Sequence, residues 1–366
     1  MTRIARREFL ATASILAGCA FSSADAFAET KDVAWLAEIQ RPPEKVPRDA
    51  PKLADLLVDA AGQRITTHQA WQSRRKELRD WWLEFLGPMP AERGEAPKLD
   101  VIEEDRPEGV IRQLVRYEVE PGITTEAYLL KPAKIEGKAP GLVALHSTVD
   151  HSIRQPAGVE GAPEKAFGLR YAQRGFVVFC PRNYLWPTTG KIAAQAEADS
   201  FLKRAPKSKG MMKMLYDSLV ATDILAAQSE IDPERLGAVG HSLGAKEVLY
   251  LAAFDERIKA SVSSEGGIGT KFSNWDAPWY LGPSIKEPSF THEHHELLAL
   301  VAPRPFLLVG GESADGDRGW PFIAAALPVY ELFGKPARLG QLNHRQGHTV
   351  PPEALARVDE WLLAYV

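Results

Sequence analysis

Leu236-Gly237-Ala238-Val239-Gly240 runs into His241-Ser242-Leu243-Gly244, and the reading of this junction decides the fold. The first five residues are small and apolar, as in a short strand buried on both faces. From Leu243 the chain continues Gly244-Ala245-Lys246-Glu247-Val248-Leu249-Tyr250-Leu251-Ala252-Ala253, which reads as a helix. Gly240-His241-Ser242-Leu243-Gly244 therefore fits G-x-S-x-G at a strand-to-helix turn. A serine on so sharp a turn sits in a strained backbone, and the flanking glycines let strand and helix approach. The turn lifts Oγ off the sheet and aims a helix N-terminus at the reacting centre, where amides stabilise an oxyanion. The competing reading is an ordinary glycine-rich turn with a buried serine.

Outward from this junction the hydrophobic period divides the chain. Trp71, Leu78, Trp81, Trp82, Phe85 and Leu86 recur near helical spacing until Gly87-Pro88-Met89-Pro90 stops the pattern. From Ile111 the period becomes two: Arg112–Val119 alternates, Pro121-Gly122 turns, and Thr124–Lys131 alternates again, a hairpin. Buried strands follow at Gly141–His146, Phe176–Cys180, Leu236–Gly240, Ile258–Ser263, Phe306–Gly310 and Ala337–Leu342. Helices are expected near Ala166–Arg174, Met211–Ser229 and Pro352–Tyr365. A hairpin followed by alternating strands and helices implies an α/β chain, with a mostly parallel twisted sheet and helices on both faces. The expected division is residues 29–107 as a helical N-terminal appendage and 108–366 as the catalytic domain, interrupted by an insertion near 266–294.

The first 28 residues are read apart from the fold. Arg6-Arg7-Glu8-Phe9-Leu10 is a twin-arginine signature, followed by a short apolar run to Ile15-Leu16. Ala26-Phe27-Ala28 fits a cleavage site, whereas Leu16-Ala17-Gly18-Cys19 resembles a lipobox. The chain is expected in the periplasm or outside the cell, at a membrane only if lipidated at Cys19. Cleavage after Ala28 leaves Cys180 alone in an apolar run, which excludes C-x-x-C metal sites and an intramolecular disulfide. With 366 residues, 45% hydrophobic, 25% charged and a net charge of −4, the composition is that of a globular chain. No basic stripe points to nucleic acid.

A serine nucleophile needs a base, an orienting carboxylate and an oxyanion hole. The base should lie in the loop after the last strand, Asn343-His344-Arg345-Gln346-Gly347-His348; His348 is favoured because Gly347 permits a tight loop, with His344 as the alternative. Two carboxylates compete to orient it. Asp315 lies in the loop after Phe306–Gly310 and Glu265 directly after the preceding strand, in Ser263-Ser264-Glu265-Gly266-Gly267. The oxyanion donors are expected to be the Leu243 amide and a second from Ser147, with Thr148 next to it. No cofactor or metal is needed. His292-Glu293-His294-His295 lacks a third ligand at matching spacing and reads as helix-entry and surface residues.

Together, Leu145-His146-Ser147-Thr148, Gly240–Lys246, Ser264-Glu265-Gly266-Gly267, His295–Pro305 and Gly347-His348 resemble the dienelactone-hydrolase-related and acetyl-xylan-esterase-like α/β-hydrolases. They also resemble the bacterial glucuronoyl esterases. The resemblance implies the α/β-hydrolase fold and a serine esterase acting on acyl or uronate esters of carbohydrate. The glucuronoyl esterase turn reads G-C-S-R-x-G-K. Here Lys246 matches the lysine that contacts sugar hydroxyls, Glu265 matches an acid position, and Leu243 stands in place of the arginine. That replacement favours acetyl or other uncharged acyl groups. Trp275, Trp279 and Trp320 are candidate sugar platforms, or the hydrophobic cluster of a small lid. A serine peptidase of related fold, and a carbohydrate-binding protein with a vestigial turn, are the rival readings.

Overall fold

Runs of apolar and β-branched residues pair into one nine-stranded sheet: β1 (Asp100–Asp105), β2 (Val110–Glu120), β3 (Ile123–Pro132), β4 (Ala139–Leu145), β5 (Val177–Pro181), β6 (Ile231–His241), β7 (Ile258–Ser264), β8 (Phe306–Gly310) and β9 (Leu339–Asn343). This computed structural model describes residues 32–366 apart from 49, 189 and 335. The leader expected over 1–28, with both of its exits, lies outside the described residues. No helix among the described residues is long and apolar enough to cross a membrane.

The spatial order is β1-β2-β3-β5-β4-β6-β7-β8-β9. Pairing is antiparallel from β1 to β5 and parallel from β5 to β9. The chain leaves β4 toward β5 and returns on the other side to β6. Open α/β sheets bind ligands at such a reversal, beyond the carboxyl ends of the strands, here β4 and β6. Leu145 pairs with Gly240, so the serine turn lands beside the loop that starts at His146.

Both faces of the sheet are covered. One carries α1 (His68–Leu86), α4 (Gly210–Ala226), α5 (Leu243–Phe254), α6 (His295–Val301) and α7 (Trp320–Glu331); the other carries α2 (Phe167–Ala172), α8 (Pro352–Tyr365) and the arm around Val33, Leu36 and Ile39. A further helix, α3 (Ala194–Arg204), follows β5.

The N-terminal segment departs from expectation. Residues 32–366 form one compact unit, so no boundary separates 32–107 from 108–366. Between 32 and 107 the one α-helix is α1, and Asp100–Asp105 joins the main sheet. The physical reason is α1 itself. Trp71, Leu78, Trp82 and Leu86 are completely buried, and Trp82 Nε1 donates to Glu296 Oε2 at the head of α6 (2.7 Å). Arg79 donates to the Ala253 and Phe254 carbonyls at the end of α5, satisfying acceptors that a helix end leaves orphaned. The aromatic stripe is thus core of the main unit. Strand β1 escapes sequence reading because all six of its residues are exposed and four are acidic, so it carries no alternation.

Candidate active site

Ser242 has φ +60° and ψ −113°, a conformation that L side chains rarely adopt. It is held there by its amide, which donates to the Ser264 carbonyl of β7 (2.8 Å). The flanking glycines are sterically required. A Cβ on Gly240 would stand 2.4 Å from the Gly244 backbone, and one on Gly244 would stand 2.3 Å from the Leu145 carbonyl oxygen. Ser242 is partly exposed while its neighbours His241 and Leu243 are buried. The alternative of a buried serine is excluded.

At the same level on β7, Glu265 is a second non-glycine residue with positive φ (+55°). Its carboxylate is fully buried. Oε1 accepts the Gly311 amide; Oε2 accepts the Ala314 amide (2.6 Å) and Nδ1–H of His348 (3.1 Å). Burial pushes the Glu265 pKa up, but bonds from His348, Ala314 and Gly311 outweigh it and hold the carboxyl below the ordinary range. An ionised carboxylate only accepts, so Nδ1 carries the proton and Nε2 is left with a free lone pair. The His348 ring lies 4.6 Å, centroid to centroid, from that of His241, the residue before Ser242. His344, by contrast, turns Nδ1 to the Gln346 amide (3.1 Å).

Asp315 does not orient the histidine. Completely buried, it accepts the amides of Gly267 and Ile268 (both 2.7 Å) and anchors the insertion after β7. Burial raises its pKa to about 6 against the pull of those two amides. The side chain that sequence order nominated is therefore spent on backbone, and Glu265 holds the ring.

The oxyanion donors also need one correction. The amides of Leu243, Gly244 and Ala245 precede the first intrahelical bond, from Lys246 N to Ser242 O (3.3 Å), and are unpaired among the described residues. The Ser147 amide is not free. It donates to Gln155 Oε1 (3.0 Å), a residue that nothing in the sequence singled out. Thr148, exposed beside it, keeps its amide unpaired among the described residues. His146 braces this loop: Nδ1–H donates to the Ser147 carbonyl (2.8 Å), and Nε2 accepts the Asn183 amide (3.1 Å). Burial lowers its pKa to about 4, so it stays neutral.

The insertion reverses several assignments. Trp275 is 1% exposed, which removes it as a sugar platform. It covers Lys246, whose Nζ sits 3.8 Å from its ring centroid, has no hydrogen-bond partner among the described residues and is 4% exposed as a residue. Lys246 is thus neither solvent-facing nor open to a sugar in this state. Burial lowers its pKa to about 7. Trp279 and Trp320 are half-buried and pack on the same core, and Trp320 stacks on no ring among the described residues. The histidine run is not on the surface. His294 is fully buried between Tyr250 Oη (2.9 Å) and the Ile268 carbonyl (2.7 Å), and His295 lies against the Ala54 carbonyl (3.1 Å). His292 stacks on Trp81 and pairs with Glu296.

A partly exposed serine on a strained turn, a histidine–carboxylate pair packed against the residue before it and unpaired helix amides are the parts that acyl transfer uses. Comparison with known proteins bears on the fold. Residues 125–295 match the dienelactone hydrolase family. This chain carries the α/β-hydrolase fold. A glucuronoyl esterase from Solibacter usitatus superposes with a TM-score of 0.68 at 20% identity, covering 87% of this chain and 98% of that chain. YtaP of Bacillus subtilis (strain 168), whose name assigns it only to the hydrolases, is 29% identical over 255 residues, 65% of this chain and 79% of YtaP. Carbohydrate esterase MZ0003, from an unknown prokaryotic organism, is 24% identical over 196 residues, 48% of this chain and 45% of that protein.

Proposed function

We propose that this α/β-hydrolase is an exported serine esterase that cleaves acyl or uronate esters carried by carbohydrate. The observation that carries the reading is the Glu265–His348 pair, whose ring lies 4.6 Å from that of His241, the residue before a partly exposed Ser242 at positive φ. Ser242 Oγ attacks the ester carbonyl while His348 Nε2 takes its proton. The amides of Leu243 and Thr148 hold the tetrahedral oxyanion. His348 then protonates the departing alcohol, and water releases the acyl group by the same route. Glu265 keeps Nδ1 protonated and stabilises the imidazolium.

Carbohydrate as the carrier is supported by the names of MZ0003 and the glucuronoyl esterase. Leu243 supplies no charge toward a uronate, which favours acetyl and other uncharged acyl groups. The twin-arginine leader would bring the enzyme to polymers met outside the cytoplasm.

The test combines labelling with a substrate panel. A fluorophosphonate should form one adduct, on Ser242, and lose it in Ser242→Ala. Acetylated xylan, p-nitrophenyl acyl esters and methyl glucuronate esters should be turned over in that order of preference. Adduct formation with turnover of peptide amides alone would favour a peptidase, and absence of any adduct would favour a binding protein.

A further inference from the structure

Beyond the proposed triad, the loop after β4 is folded back on itself by one buried side chain. Leu145 pairs with Gly240, and a Cβ on Gly244 would stand 2.3 Å from the Leu145 carbonyl oxygen, so the start of this loop touches the first turn of α5. Ser147 and Ser242 each come two residues after that strand pair. From further along the loop Gln155 reaches back. Its Oε1 accepts the Ser147 amide (3.0 Å), and the residue is 5% exposed. The Gln155 amide in turn bonds the carbonyl of Ser152 (3.0 Å), a residue held at φ +41°. The Ser147 carbonyl is taken as well, by His146 Nδ1–H (2.8 Å) and by the Val149 amide (2.9 Å). Residue 147 is thus clamped at both of its backbone groups.

That clamp sets the direction of the next N–H. A trans peptide is planar, with its C=O and N–H on opposite sides. Holding the Ser147 carbonyl therefore turns the Thr148 N–H the other way, and that N–H is unpaired among the described residues. We infer that Gln155 is a positioning residue for the oxyanion site: it takes the Ser147 amide out of competition and locks the loop so that the Thr148 amide meets the oxyanion. Gln155 acts through the loop and not on the substrate. Without its oxygen a buried N–H loses its partner, a cost the loop relieves by turning. Displacing a preorganised donor costs rate more than ground-state binding, because the oxyanion exists only near the transition state.

The inference rests on the esterase reading, and wild-type turnover in the same assay keeps the two apart. Gln155→Met removes the acceptor at nearly constant shape, whereas Gln155→Glu keeps an oxygen where Oε1 stands. Thr148→Pro deletes the proposed donor itself. With an ester that wild type hydrolyses, Gln155→Met should lower kcat roughly 10- to 100-fold with KM within about threefold, and Gln155→Glu should recover most of the loss. The double variant Gln155→Met/Thr148→Pro should be no slower than Thr148→Pro alone, since both act through one amide. Circular dichroism and melts check that each variant is folded. An unchanged kcat in Gln155→Met, a loss that Gln155→Glu does not recover, or additive losses in the double variant overturns the inference. So does an unaffected Thr148→Pro, which places the donor elsewhere. If Thr148→Pro does not fold, the contrast between Gln155→Met and Gln155→Glu decides. Failure of wild type to hydrolyse any ester defeats the esterase reading instead.

Discussion

At the scale of single residues, two carboxylates lie close together and do different work. Glu265 faces His348, whereas Asp315 faces two amides. Glu265→Gln keeps the shape but loses the charge that fixes the imidazole tautomer, so kcat should fall by roughly 10³-fold or more. Asp315→Asn replaces one of two acceptors with a donor aimed at an N–H. It should lower the melting temperature by several degrees, while kcat stays within about tenfold of wild type. The reverse pattern, measured by steady-state kinetics and thermal melts on both variants, would exchange the two roles. Lys246 makes a third case. Its folded pKa of about 7 lies below the unfolded value of 10.5, so between these values the unfolded chain binds the extra proton. Stability then rises with pH across that window, and below about pH 7 the full cost of burying the charge is present. Lys246→Met should therefore be more stable than wild type at pH 6, with the difference narrowing toward pH 10; urea melts at both ends check it.

At the scale of elements, α1 is held by its aromatic face. Trp82 is completely buried, stands edge-on to Tyr250 (6.1 Å) and bonds Glu296. Trp82→Ala removes this contact area and one of the two bonds to Glu296 Oε2, the other being from His292, and should cost about 3–5 kcal/mol in denaturant unfolding. Trp82→Phe should recover most of the packing but not the bond. The same element shows how far the amphipathic pattern reaches. The spacing of Trp71, Leu78, Trp82 and Leu86 was legible because helical geometry imposes it. Its partner surface was not, because α6 and the end of α5 lie more than 150 residues away in the chain. Nor was β1 legible: an exposed edge strand is specified by its neighbour's unpaired amides, not by its own residues.

At the scale of the whole molecule, the arm before β1 is part of the fold rather than an accessory. Val33, Leu36 and Ile39 close one face, and Trp35 stacks on Trp361 of α8 (5.8 Å). A chain starting at residue 96 should fail to fold, judged by circular dichroism and by loss of cooperative melting, whereas one starting at residue 32 should melt like wild type. The insertion 266–294 also belongs to the whole. Asp315 anchors its start, Glu293 accepts from Thr270 (3.0 Å) near its end, and Trp275 seals Lys246 beneath it. Trp275, first read as a substrate platform, is consequently structural, since an aromatic residue in sequence looks the same whether it meets a sugar or another side chain.

By itself, the sequence determined what local geometry and local chemistry enforce. The strand–serine–helix turn demands small residues at Gly240 and Gly244, and the alternation of periods demands a mostly parallel sheet. Only the tertiary structure decided which of two carboxylates reaches His348, that the Ser147 amide is already occupied by Gln155, and that a lysine matching a sugar ligand is shut under Trp275. The physical reason is range. A backbone turn is settled by atoms a few bonds apart. A hydrogen-bond partner is settled by which loops the sheet order brings together, and that order is invisible until the strands have paired.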